Sequence, residues 1–211
     1  MVLGGHSGTH IDALCHVSHR GKLYDGHDAD KAQKGGRFAV HGAETIPLTL
    51  CRGVMLDIPG LLGVEVLAAG TPIKREHLAS AAEKQKVEIR KGDAVLIRSG
   101  WPKYWADPAK FIGLTEGVPG PDEDAAHWLV ERQIRITGAE TIAYEHIPPG
   151  KGHALLPVHR VLLVQNGIFI VESLNLAELA QAKVFEFLLI LTPIKVVGAT
   201  GVPVRPVAVT V

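Results

Sequence analysis

The sequence predicts a mixed α/β domain, and three observations carry that prediction. Short apolar runs bounded by turn residues are interspersed with amphipathic helical segments. Their alternation is irregular, unlike the regular winding of repeated βαβ units. The 211 residues contain no internal repeat or low-complexity tract that would divide them, so residues 1–211 are expected to form one compact domain with a mixed sheet.

In chain order, residues 2–36 are rich in Gly, His and Asp and are expected to be loop with short extended pieces. Residues 52–58 and 94–98 are apolar runs between turn residues and predict buried strands. Between them, residues 74–85 (KREHLASAAEKQ) predict an amphipathic helix. A second helix is predicted over 122–133. Asp122 is its N-cap, acidic residues fill its first turn, and Ala125, Trp128 and Leu129 recur at helical spacing. Residues 141–144 predict a strand and 157–164 a short helix. Residues 167–171, 184–191 and 202–209 predict further strands. The stretch 147–152 (IPPGKG) predicts a loop over the site.

Lys plus Arg and Asp plus Glu number 22 each, so no net charge draws the chain to nucleic acid or an anionic membrane surface. A small-molecule substrate is the expected partner. No run approaches the ~20 apolar residues of a membrane span, and the start lacks a secretory pattern. Cys15 and Cys51 are too few for a disulfide framework and fit two reduced thiols. A cytoplasmic location is the expectation.

The eleven histidines are unevenly placed: His6, His10, His16 and His19 fall within the first twenty residues. The run His6-Ser-Gly-Thr-His10-Ile-Asp12-Ala-Leu-Cys-His16 mixes imidazole and carboxylate, donors that suit zinc or manganese. On a helix, Asp12 would lie about 200° round from His10. In a strand the two point the same way with Cα atoms ~6.6 Å apart, a comfortable span for one ion. His6 would be ~13 Å from His10 in a fully extended chain, so the chain must bend, and Gly8 permits the bend. His6, His10 and Asp12 are therefore the expected ligands, with His16 beside them as the proton-transfer group. His19, His27 and His41 are expected to face solvent or stand behind the ligands. His159 and Glu172 attract no functional reading from spacing alone.

The motifs HSGTHIDALCH, GDAVLIRSGWPKYW, GPDEDAAHWLVE and PVHRVLLVQNGIFIVESLNL, taken in order, resemble the putative-cyclase family of metal-dependent hydrolases. That family includes bacterial kynurenine formamidase and isatin hydrolase. Its pattern HxGxHxDxPxH is met at His6, Gly8, His10, Asp12 and His16. Leu14 stands where the family has proline, a change that removes no chemical group. The resemblance implies a swivelling β/β/α fold, one or two divalent ions (Zn or Mn), and homodimers or homotetramers. It also implies that His6, His10 and Asp12 hold the first metal and that His16 is the acid/base. Asp12, His159 and Glu172 would hold the second. Family members normally begin some tens of residues before the first motif, so the usual N-terminal segment is expected to be lacking here.

The implied reaction is attack of an activated water on a small amide, lactam or lactone. Trp101, Tyr104 and Trp105 could wall an aryl substrate, or WPKYW could equally pack a short helix onto the core. No GxSxG elbow is present, which argues against a serine hydrolase, and Cys15 would point away from His16 and Asp12 in a strand. Two rival readings keep the same ligands. One is a catalytically inactive metal-binding protein, and the other is an iron oxygenase of the cupin type, against which the helix content argues.

Overall fold

The computed structural model describes residues 2–153 and 155–210. Its centre is an eight-stranded mixed sheet, built from strands β1 (His10–Asp12), β2 (Thr49–Asp57), β3 (Ala94–Arg98), β4 (Ile136–Ala139), β5 (Phe169–Glu172), β6 (Glu186–Leu191), β7 (Gly201–Pro203) and β8 (Val207–Val209). The order across the sheet is β7-β1-β5-β4-β3-β2-β6-β8. The inner strands β5, β4, β3 and β2 run parallel, and the outer pairings are antiparallel.

Alternation along the strands sorts side chains into two cores. Val54 and Leu56 of β2, Val95 and Ile97 of β3 and Ile170 of β5 pack against helices α1 (Arg75–Gln85) and α2 (Glu123–Glu131). Met55, Leu96 and Val171 point to the other face, where Ile11, Ala32 and Ile46 of the N-terminal third cover them. Each fully buried aliphatic side chain contributes about 1.5–3 kcal/mol. Helix α2 has the predicted cap, with Asp122 accepting a hydrogen bond from the Ala125 amide at 2.9 Å.

Two expectations need correction. Residues 141–144 form a turn, not a strand, because the strand ends at Ala139 and Tyr144 takes a left-handed φ of 55°. Tyr144 is instead a core residue, its hydroxyl 2.8 Å from Thr137 Oγ1. The segment 157–164 is helical as expected, through α3 (Pro157–His159) and a π-helical continuation over Arg160–Gln165. Residues 202–209 are two strands on opposite edges of the sheet. Only Val204, Arg205 and Pro206 separate β7 from β8, and four chain steps span at most ~14 Å. The sheet is therefore curled until its two edges nearly meet.

Candidate metal centre

Strand β1 sends Ile11 into the far core and turns His10 and Asp12 toward the helices. Gly8 takes φ +61°, the bend required to bring His6 back over the strand. His6 Nδ1 thereby comes within 3.0 Å of Asp12 Oδ1. His10 Nδ1 lies 2.8 Å from the Gly8 carbonyl, which can only accept, so the ring proton sits there and Nε2 presents a lone pair. That Nε2 is 3.6 Å from Asp12 Oδ1 and 3.2 Å from Glu172 Oε2. Glu172 is available because the β1–β5 register sets it directly opposite His10.

From the helical side, α3 contributes His159. Its Nδ1 is 2.6 Å from Glu145 Oε1, and the same carboxylate accepts the Val158 and His159 amides at 3.0 Å each. Glu145 thus orients the ring from behind, as carboxylates do for metal-binding histidines. His159 Nε2 then lies 3.1 Å from Glu172 Oε1 and 3.5 Å from Asp12 Oδ2. His16 completes the ring of imidazoles, its centroid 4.2 Å from that of His6 and 5.9 Å from that of His159. The structure therefore brings His6, His10, Asp12, His16, His159 and Glu172 to one place.

Asp12 Oδ1, Asp12 Oδ2 and His10 Nε2 are buried with no hydrogen-bond partner among the described residues. Leaving such atoms unmatched costs about 1–3 kcal/mol each, more for a charged group, and a cation would satisfy all three at once. Two triads offer ligand atoms within 4.8 Å of one another, His6–Asp12–His16 and His10–Asp12–Glu172, and both use Asp12. Imidazole and carboxylate are the donors that first-row divalent ions take. The residues fit a divalent metal.

Protonation follows the same arrangement. Burial would push the Asp12 carboxyl up, but His159 and His6 outweigh it and hold it well below the usual range. Burial works against charge on His10 and His159. The carboxylates Glu172 and Asp12 outweigh it at His10, and Asp12, Glu145 and Glu172 do so at His159, so both are raised. At His16 burial prevails over the attraction of Asp12, and neighbouring His6 and His159 add to it, so its pKa is lowered.

A cleft of about 220 Å³ opens beside His6 and His10, walled by Trp105, Phe111, Ile112 and Ile142. Of the three aromatics expected to wall a substrate, Trp105 lines the cleft and Trp101 and Tyr104 do not. Trp101 is 1% exposed, donates its Nε1–H to the Phe111 carbonyl at 2.9 Å, and packs against Tyr104 with centroids 4.9 Å apart. Trp105 faces outward at 58% exposure and meets Phe111 edge-on. Sequence reasoning missed Glu145, which carries no local spacing signal relative to His159. It also missed His153, which lines an adjoining pocket alongside His16 and His159.

The sequence model described as "Putative cyclase" matches residues 1–146. The chain belongs to that family. The match includes His6, His10, Asp12 and His16, whereas His159 and Glu172 lie beyond it. Isatin hydrolase of Roseibium aggregatum is 29% identical over 219 residues, covering 99% of this chain and 73% of that protein. Cyclase-like protein 1 of Oryza sativa subsp. japonica is 28% identical, and this chain spans 60% of its length. Among solved structures, a novel cyclase superposes with a TM-score of 0.87 at 34% identity, covering 99% of this chain and 71% of that one. An isatin hydrolase bound to the product analogue thioisatinate gives 0.70 at 27% identity, covering 97% and 72%. Among the described residues no helix is long and apolar enough to cross a membrane.

Proposed function

We propose that the protein is a metal-dependent hydrolase of a small amide, lactam or lactone, in the manner of an isatin hydrolase or arylformamidase. The observation that carries this reading is the pair of buried Asp12 oxygens with no donor, ringed by imidazoles beside an apolar cleft. The similarity to isatin hydrolase supports it.

In this reading His6, His10 and Asp12 hold the first ion, and Asp12, His159 and Glu172 hold a second. Zinc or manganese, when bound, would supply a Lewis acid for the carbonyl and lower the pKa of water. Glu145 fixes the His159 ring. His16 takes the proton of the attacking water at a ring nitrogen and returns it to the leaving group. Trp105, Phe111 and Ile142 exclude solvent and present flat apolar surface to an aryl ring. Elemental analysis alongside hydrolysis of isatin and N-formylkynurenine, with zinc or manganese added, tests the reading. One or two equivalents of metal with turnover supports it, and no metal under any condition overturns it.

A second reading, a metal-binding family member without activity, is favoured by one observation. A His16 nitrogen lies within 4.8 Å of the ligand atoms of His6 and Asp12, close enough to close the coordination shell. The two readings separate on His16→Ala. An acid/base loses turnover and keeps metal, whereas a ligand loses metal as well.

The assembly expected is a cytoplasmic homodimer or homotetramer. The free thiols Cys15 and Cys51 fit a reducing compartment. Leu50, Leu188, Val207 and Val209 lie exposed side by side on β2, β6 and β8, an apolar face of the kind that subunits cover. Light scattering on the eluted protein tests the subunit number.

A further inference from the structure

Histidines at the centre are accounted for by the ions or by proton transfer, but His153 is not. It follows the loop 147–152 and lines, with His6, His16 and His159, a second pocket that shares His6, His10 and Ile142 with the apolar cleft. The loop is tied to the segment that forms the apolar wall. Ile147 and Val118 exchange both backbone hydrogen bonds at 3.1 Å, and the Gly150 amide donates to the Thr115 carbonyl at 3.0 Å. His153 Nε2 lies 3.3 Å from the carbonyl of Ile112, itself a wall residue. The ring is thus positioned against the wall from two sides of the loop.

The Ile112 contact decides the chemistry of the ring. A carbonyl oxygen accepts and never donates, so Nε2 must carry the proton. In neutral imidazole the other nitrogen, Nδ1, is then a pure acceptor. Nδ1 has no hydrogen-bond partner among the described residues. The other polar side chains of its pocket, His6, His10, His16, His159 and Glu172, are taken up by the ions or by proton transfer in the reading above. The adjoining apolar cleft adds Ser173, whose hydroxyl donates as readily as it accepts and so does not discriminate.

We propose that His153 is a specificity-determining residue whose Nδ1 accepts a hydrogen bond from the N–H of the substrate. It would thereby select secondary amides and N–H lactams over lactones, esters and N-alkylated lactams. The proposal rests on the hydrolase reading above and refines its substrate class. A pocket built to pair a substrate N–H discriminates sharply against an analogue without one, because the acceptor is left unmatched.

The test compares isatin with N-methylisatin on the metal-loaded protein and on His153→Phe, which keeps the ring shape and removes the acceptor. The wild type is expected to favour isatin in kcat/KM by about tenfold or more, and His153→Phe to bring that ratio within about twofold. An unchanged ratio in the variant overturns the proposal. Calorimetric titration of both compounds reads the same ratio as Kd, so a protein that binds but does not turn over refutes the hydrolase reading alone. Nitrogen-15 NMR of histidine-labelled protein gives a reading independent of any substrate. The resonances missing in His153→Phe should report an Nε2–H tautomer, and an Nδ1–H tautomer would overturn the proposal.

Discussion

Asp12 and Glu140 are both carboxylates taken out of water, 0% and 1% exposed, and their surroundings are opposite. Glu140 is fully matched. Its Oε2 accepts the Ser99 amide at 2.8 Å, the Ser99 hydroxyl at 3.2 Å and the Gly100 amide at 2.6 Å, and its Oε1 accepts the Leu176 amide at 2.9 Å. It braces the ends of β3 and β4 against the turn after β5. Burial raises its pKa despite the backbone donors. Asp12 has no donor on either oxygen, only imidazole nitrogens at 3.0–3.6 Å. Burial alone therefore does not mark a functional acid. What separates the two is whether the fold supplies the matching protons or leaves room for a cation.

The contrast breaks most visibly at Asp12→Ala. That variant should lose its metal and at least about a hundredfold in hydrolysis, and in chelator it should also melt below wild type, because the imidazoles of His6 and His159 that hold the carboxylate ionised lose their counter-charge. Full metal stoichiometry in Asp12→Ala would show that Asp12 is not a ligand. Glu140→Ala should cost stability and spare the metal. It strands three amides and a hydroxyl, and at ~1–3 kcal/mol for each unmatched group a urea titration should show a loss of several kcal/mol. The folded fraction should keep its full metal stoichiometry.

Glu145 lies between the two, matched by two amides and also by the His159 ring. Glu145→Gln should weaken metal affinity about 10–100-fold with a smaller effect on folding, read by competition against a chromophoric chelator. The smallest effect is expected at Cys15. Burial pushes its thiol up to about 12, so almost no thiolate exists at pH 8. Alkylation of the native protein at that pH should modify Cys51 before Cys15, and activity should be unaffected while Cys15 remains intact.

The contrast also explains what was legible beforehand. His10 and Asp12 could be placed on one face because strand alternation is a local rule, and Gly8 could be named because only a bend brings His6 within reach. The strands at 94–98 and the capped helix at Asp122 were legible for similar local reasons. Glu172 and His159 were recognisable only through resemblance, since their meeting depends on the β1–β5 register and on how α3 lies over the sheet. Glu145 had no signal at all: it sits just past the segment 141–144, expected to be a strand and found to be a turn, and its partner comes from the following helix. In the aromatic segment, the turn over Trp101–Tyr104 is a 3-10 helix. At three residues per turn Trp101 and Tyr104 stack on one side, and Trp105 falls on another. A three-residue period applied to WPKYW would have pointed to Trp105.

The pairing of β1 has a consequence for the order in which the molecule becomes competent during synthesis. The histidine-rich segment leaves the ribosome well before both of its sheet neighbours, β5 and β7. Contacts between such distant parts of a chain form late and slowly. A nascent or prematurely ended chain therefore displays its imidazoles without the carboxylate of Glu172 or the ring of His159, and cannot close the cage around an ion. Metal acquisition in this architecture reports that translation has passed β5.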